Sequence, residues 1–257
     1  MGSTAEVRMR QGEAAFLASY LHVLQEWDGR ASVRMQQRDS IIGVYGSPPT
    51  ECYSFVAIPL ASAGDPDKSF GDRTVSVGRM RDCLGDVSTP ARGVAGRPIS
   101  IPEAITGAPS LAMLPPKSDW ESVATSEVSQ VAPIIESAIE EFKRRAPDND
   151  PEAAQRLADE IWDRPGWSGV PIRALHTARS LGFLAKPEAP VQAMTRPGWF
   201  RLVTPSGQIF AQEGERQKPW ELGGYLVFEV WACAGEVGVP ALEVGAKVAI
   251  EDAGTDL

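Results

Sequence analysis

The sequence predicts an α+β fold in two halves, each with amphipathic helices packed on a small, mostly antiparallel sheet. Three observations lead there. Runs with helical apolar spacing alternate with short β-prone runs, and Gly, Pro, Ser and Asp punctuate the joints between them. One stretch, Gly166 to Gln212, reads as a helix, a short strand and a tight β-hairpin in succession. The expected divisions are residues 1–86 for the N-terminal half, 87–117 for a Pro/Gly-rich packed crossing, and 118–257 for the C-terminal half. With 257 residues, the chain can bury a core without disulfide or metal staples.

Ala5 to Arg10 alternates apolar and charged residues as a short strand does, and Glu13 to Trp27 follows as a helix with Ala15, Phe16, Ser19, Tyr20, Val23, Leu24 and Trp27 on one broad face. Strands are expected at Ala31–Gln37, Ser40–Tyr45 and Cys52–Leu60, then a surface loop over Ala61–Asp72. Thr74–Val77 leads into a short helix over Gly78–Leu84 with Val77, Met80 and Leu84 on one side. From Val87 to Lys117 proline and glycine dominate, so the crossing is read as irregular, held down by Ile99, Ile101, Ile105, Leu111, Met113 and Leu114.

The second half opens with a strand at Asp119–Val123, and Thr125-Ser126-Glu127 reads as a helix start. Val128, Val131, Ile135, Ala138, Ile139 and Phe142 then trace a strong amphipathic helix, in which Pro133 forces a start near Ser129 or a kink. Lys143-Arg144-Arg145 closes that helix where the macrodipole favours positive charge. Asp150-Pro151-Glu152 supplies a cap, a first-turn proline and a first-turn acid for a helix reaching Trp162. Next, Pro171 opens and Gly182 stops a helix with Ile172, Leu175 and Ala178 facing a core. Thr204-Pro205-Ser206-Gly207 turns the hairpin between Trp199–Val203 and Gln208–Gln212. Further β-prone runs are read at Tyr225–Trp231 and Gly245–Ile250.

Chemistry-bearing motifs are missing: there is no phosphate-cradling Gly/Lys loop, no glycine-flanked nucleophile serine, no dinucleotide fingerprint and no zinc-spaced histidine pair. No cofactor and no metal are expected. The three cysteines, Cys52, Cys83 and Cys233, lie far apart and are read as small buried hydrophobes. A net charge of −9 disfavours nucleic acid and acidic membrane surfaces as partners, though a local basic face can coexist with it. With no long apolar run, no membrane partner is expected, and a cytoplasmic location is the default.

The one polar edge worth marking is Arg173, His176 and Arg179, which share a side of the helix after Pro171. It is either an anion contact or a solvated helix face, and the solvated face is the leading reading. His22 is read as a half-buried structural histidine, and Arg79 and Arg81 admit the same pair of readings as the marked edge. Of seven tryptophans, six fall after Trp27; core packing accounts for most, and Trp167, Trp199 and Trp220 are the candidates for a binding surface.

Strand and long helix over Ala5–Trp27, three strands, then Thr74–Leu84: this order resembles the repeated half-domain of DNA sliding clamps, a strand and helix, a few antiparallel strands, and a second strand and helix. Val170–Leu175 with its following strand and hairpin is similar to the second such step. The resemblance covers Ala5–Leu84 and Val170–Gln212, while the Val87–Lys117 crossing stands where such a unit carries strands and the Pro151–Trp162 helix has no counterpart. It implies a clamp-like, DNA-associated protein with a basic surface from Arg79, Arg81, Arg173 and Arg179. The residues themselves point first to a non-catalytic binding or assembly protein acting on a protein partner or on itself. An enzyme acting on an anionic small molecule around His176, with Glu160 as base, is the alternative.

Overall fold

The computed structural model describes residues 5–61, 69–87, 96–147 and 150–213. The readings at Tyr225–Trp231, Gly245–Ile250, Trp220 and Cys233 lie outside the described residues. Two compact units divide the described residues, one holding those up to Pro48 and from Tyr53 to Pro115, the other Pro49–Cys52 and those from Pro116 onward.

In the first unit, β1 (Glu6–Met9) leads into α1 (Gln11–Trp27), followed by β2 (Ser32–Arg38), β3 (Ile41–Gly46), β4 (Cys52–Pro59), β5 (Asp72–Ser76) and α2 (Val77–Leu84). The four later strands form an antiparallel ladder in the order β5-β2-β3-β4. Strict alternation along β4, with Ser54, Val56 and Ile58 buried and Phe55 and Ala57 half-exposed, is the period of a strand with one face on a core. Leu17, Leu21 and Leu24 of α1 and Met80 and Leu84 of α2 are buried as well. The buried stripe of α1 is Ala14, Leu17, Tyr20, Leu21, Val23 and Leu24, rotated from the expected one. Ala15, Phe16 and Ser19 are only partly covered, because apolar residues occupy so much of this helix that spacing alone does not select the inner side. Gly46 makes room for Tyr20, whose hydroxyl is hydrogen-bonded to Ser54 Oγ at 2.8 Å: a Cβ at Gly46 would meet that hydroxyl at 2.6 Å.

The crossing is more ordered than its composition suggests. Arg97–Ser100 forms β6, antiparallel to β1, with Ile99 buried. Beyond it the chain straps the first sheet. Arg73 donates to the Pro102 carbonyl at 3.1 Å, Ile105 N–H to the Thr74 carbonyl at 2.9 Å, and Ala108 N–H to Ser32 Oγ at 3.0 Å. Arg34 is the main fastener: its fork grips both Asp72 oxygens at 2.7 and 2.8 Å and reaches the carbonyls of Leu111 and Ala112 at 2.9 and 3.1 Å. Ile101 and Leu111 pack inward, whereas Met113 is 78 % exposed and Ile105 36 %.

The second unit contains β7 (Glu121–Glu127), α3 (Val128–Arg145), α4 (Pro151–Trp162), α5 (Ile172–Ser180), β8 (Pro190–Arg196), β9 (Trp199–Thr204) and β10 (Gly207–Gln212). Its antiparallel ladder runs β10-β9-β8-β7. Thr125-Ser126-Glu127 belongs to the strand, and α3 begins directly after it and continues through Pro133. Asp150 caps α4 by accepting from Ala153 N–H at 2.9 Å. Ala138, Phe142, Leu157, Ile161, Trp162 and Ile172 bring the three helices into one apolar cluster. Gly182, at φ +75°, ends the α5 region in the left-handed conformation open to glycine.

The β9–β10 hairpin has a two-residue loop, Pro205-Ser206, and Thr204 Oγ1 accepts from Ser206 and Gly207 N–H at 3.3 and 3.2 Å. A Cβ at Gly207 would sit 2.5 Å from the Phe183 ring. Gly207→Ala is therefore expected to lower stability by about 1–3 kcal/mol. Gly12→Ala, where nothing lies within 4 Å in a helix, is expected to be neutral or slightly stabilising, and urea unfolding of the two variants measures the contrast.

Candidate interaction surface

Of α5, every residue but Arg179 is buried, including Arg173, His176 and Ser180, so the solvated-face reading of this edge is overturned. Burial obliges the polar groups to be satisfied inside the protein. Arg173 donates to Asp163 Oδ1 at 2.6 Å and to the Gln212 carbonyl at 2.7 Å. Thr177 donates to the Arg173 carbonyl at 2.7 Å, and its hydroxyl also lies 2.7 Å from that of Thr50. His176 stacks on Trp162 with ring centroids 4.7 Å apart and an interplanar angle of 25°. Burial, with the charge of Arg179 as the smaller cause, pulls its pKa down to about 4, so the imidazole is neutral at pH 7.

The three marked residues thus have separate duties. Arg173 ties α5 to the residue after α4 and to the end of β10, His176 packs, and only Arg179 reaches the surface, 3.4 Å from Glu136. That pair lines a cleft of about 290 Å³ together with Val128, Ile135, Leu184 and Pro187. Glu160 is not set up as a base: Arg145 and Arg164 bond its carboxylate, at 3.1 and 2.5 Å, and hold its pKa below the usual carboxylate value. Both arginines also grip Glu141, whose pKa is lowered in the same way, and the resulting four-residue network joins α3 to α4.

Trp167 and Trp199 are half-buried, at the turn before α5 and at the start of β9. Trp120 faces Phe210 with ring centroids 5.7 Å apart, and the Arg201 guanidinium lies 5.6 Å from the Trp120 ring and 5.5 Å from the Phe210 ring. His22 is exposed, 3.7 Å from Glu26, rather than half-buried. In the first unit Arg79 is exposed and Arg81 donates to Gln25. With Arg173 buried, the basic surface implied by the clamp resemblance lacks one of its four named contributors. Among the described residues no group of three or more His, Cys, Asp or Glu could hold a metal ion. Nor is any described helix long and apolar enough to cross a membrane.

A feature that sequence reading did not single out is the outer edge of β7. Among the described residues the strand ends its ladder and pairs only with β8, and it is exposed at Glu121, Ser122, Val123, Thr125 and Glu127. No backbone hydrogen bond among the described residues covers its outer side, whereas β5, ending the other ladder, is covered by Ile105. An open edge presents unpaired N–H and C=O groups, which makes it a template for another strand.

Two α+β units of this pattern, each with two helices or more on an antiparallel sheet, define a clamp-like fold. Residues 3–103 match a family model described as Domain of unknown function (DUF8010), and residues 115–216 one described as Domain of unknown function (DUF8185). No curated protein matches the sequence. The chain is similar to the DNA polymerase sliding clamp from Pseudomonas aeruginosa, at 10 % identity and a TM-score of 0.50 over 84 % of this chain and 66 % of that one. It is also similar to the DNA polymerase III subunit beta from Pseudomonas aeruginosa, at 9 % identity and a TM-score of 0.51 over 84 % of this chain and 67 % of that one. The architectural resemblance to sliding clamps therefore holds at the level of fold, and the chain spans about two thirds of the length of these structures.

His176 makes stability pH-dependent with a definite sign. Its folded pKa, about 4, lies below the ordinary 6.5, so as pH falls the unfolded chain takes up the proton first. Stability is complete above pH 6.5, is lost between 6.5 and 4, and loses nothing more to this group below that. The expected loss between pH 7 and pH 5 is about 2 kcal/mol. His176→Phe, which keeps a ring on Trp162, is expected to abolish that share, as read from urea midpoints at the two pH values.

Proposed function

We propose that this chain is a non-catalytic binding or assembly protein whose work is done by a protein–protein surface on the second unit, centred on the outer edge of β7. The carrying observation is the contrast between the two terminal strands: β5 is covered by the crossing, while β7 offers seven residues with no covering element among the described residues. Strand addition uses main-chain hydrogen bonds for affinity and side chains for selection, and needs no catalytic group. The burial of His176 and the pairing of Glu160 leave the alternative of an enzyme around His176 without an observation in its favour.

Val123 gives the test. It lies in the β-bulge between Ser122 and Ala124, outside the paired register with β8, and is 51 % exposed, a position of the kind where an edge strand tolerates proline. Self-association or capture of a partner, measured by light scattering and cross-linking, is expected to weaken at least tenfold in the variant while circular dichroism stays unchanged. Unaltered association would count against β7 as the surface.

The fold likeness supports a second reading, association with DNA as the name sliding clamp suggests for those relatives. A net charge of −9 weighs against it. Anisotropy of labelled duplex DNA separates the two: the β7 reading expects no retention, and DNA association expects binding that falls steeply as salt rises.

A further inference from the structure

We propose that the β7 edge takes an extended segment of a different protein that carries a basic side chain near each end and uncharged β-forming residues between. This rests on the reading that β7 is an interaction surface. The strand has an exposed glutamate at each end, Glu121 and Glu127, and only Ser122, Val123, Ala124, Thr125 and Ser126 between them. At about 3.3 Å of rise per residue the two carboxylates stand roughly 20 Å apart. Neither is in an ion pair among the described residues; Glu127 accepts from Ser129 Oγ at 3.4 Å, and Arg196, at the end of β8, donates instead to the Ser118 carbonyl at 3.0 Å. An added strand therefore meets a negative charge at each end of the ladder, and opposite charges directly across a ladder attract while like charges repel.

That rule disfavours a second copy of this chain. Two β7 strands paired about a two-fold axis through Ala124 would set Glu121 of each against Glu127 of the other. Each copy also carries a net charge of −9. The bulge at Val123 interrupts the flat ladder and discourages indiscriminate pairing, as do the end charges. A strand with a cation about six residues from a second cation converts the same glutamates from a barrier into a contact, which is how a repulsive element selects a partner.

The test pans random nine-residue peptides on phage against the full chain, then measures the best peptide by anisotropy on the wild type, on Val123→Pro and on Glu121→Lys/Glu127→Lys. The enriched peptides are expected to carry Lys or Arg about six positions apart around β-branched residues. They are expected to bind each variant at least tenfold more weakly and to weaken with salt. Peptides lost in Val123→Pro but free of basic residues, or bound equally by the double lysine variant, would overturn this inference and leave β7 as an interaction surface. Peptides indifferent to Val123→Pro, or no enrichment at all, would overturn both. A dimer abolished by Val123→Pro would overturn it in favour of a second copy.

Discussion

Burial of α5 is the constraint on which the second unit depends. A nine-residue helix carrying Arg, His, Thr and Ser is enclosed on nearly every side, and each of those groups loses water when it is. For the Arg173 fork and the Thr177 hydroxyl the protein meets the demand with contacts that also hold the unit together, while Ser180 Oγ is buried with no hydrogen-bond partner among the described residues. Asp163, one residue past α4, and the Gln212 carbonyl, at the end of β10, both converge on the Arg173 guanidinium. A planar fork with five donors can serve two acceptors from different elements at once, which a lysine cannot do in the same geometry. His176 solves its problem differently, by remaining neutral and stacking flat on Trp162.

A parallel economy governs the sheets. The first unit spends the proline-rich crossing on its own terminal strand, with Ile105 bonded to Thr74 and Arg34 fastening the strap at Leu111 and Ala112. β7 is guarded instead by charge and by a bulge. Both devices keep an edge from pairing at random, but they differ in kind: a strap occupies the hydrogen-bonding groups, whereas charge only sets a condition on what pairs with them. The open edge is thus compatible with a stable fold and with a partner.

Local grammar made much of the fold legible. Asp150-Pro151, Gly182, Thr204–Gly207 and the alternation along β4 act over a few residues, and the structure uses each as its chemistry implies. What was not legible depended on distant residues. The short run Arg97-Pro98-Ile99-Ser100 becomes a strand because β1, some 90 positions earlier, offers an edge. The polar side of α5 looks solvated until Asp163 and Gln212 are placed against it. The same holds for the site: only the first part of β7 was readable as a strand, Thr125-Ser126-Glu127 reading as a helix start, and whether a strand ends a ladder and what covers it are properties of topology that no spacing in Glu121–Glu127 announces.

The sliding-clamp likeness concerns architecture, and the edges bear on which assemblies the proposed reading leaves open. Head-to-tail association through strand edges requires two different free edges, one on each side of every contact. With the β5 edge taken by the crossing, a β7 edge cannot find its complement in the β5 edge of another copy unless the Ile105–Thr74 bond is given up. Between the equivalent edge of a second copy and a foreign strand, Glu121 and Glu127 weight the choice toward a foreign strand of opposite charge. The departure from the clamp pattern in the crossing and the exposure of β7 therefore bear on one question: a strap that closes one route of self-assembly leaves the remaining edge to be read by charge.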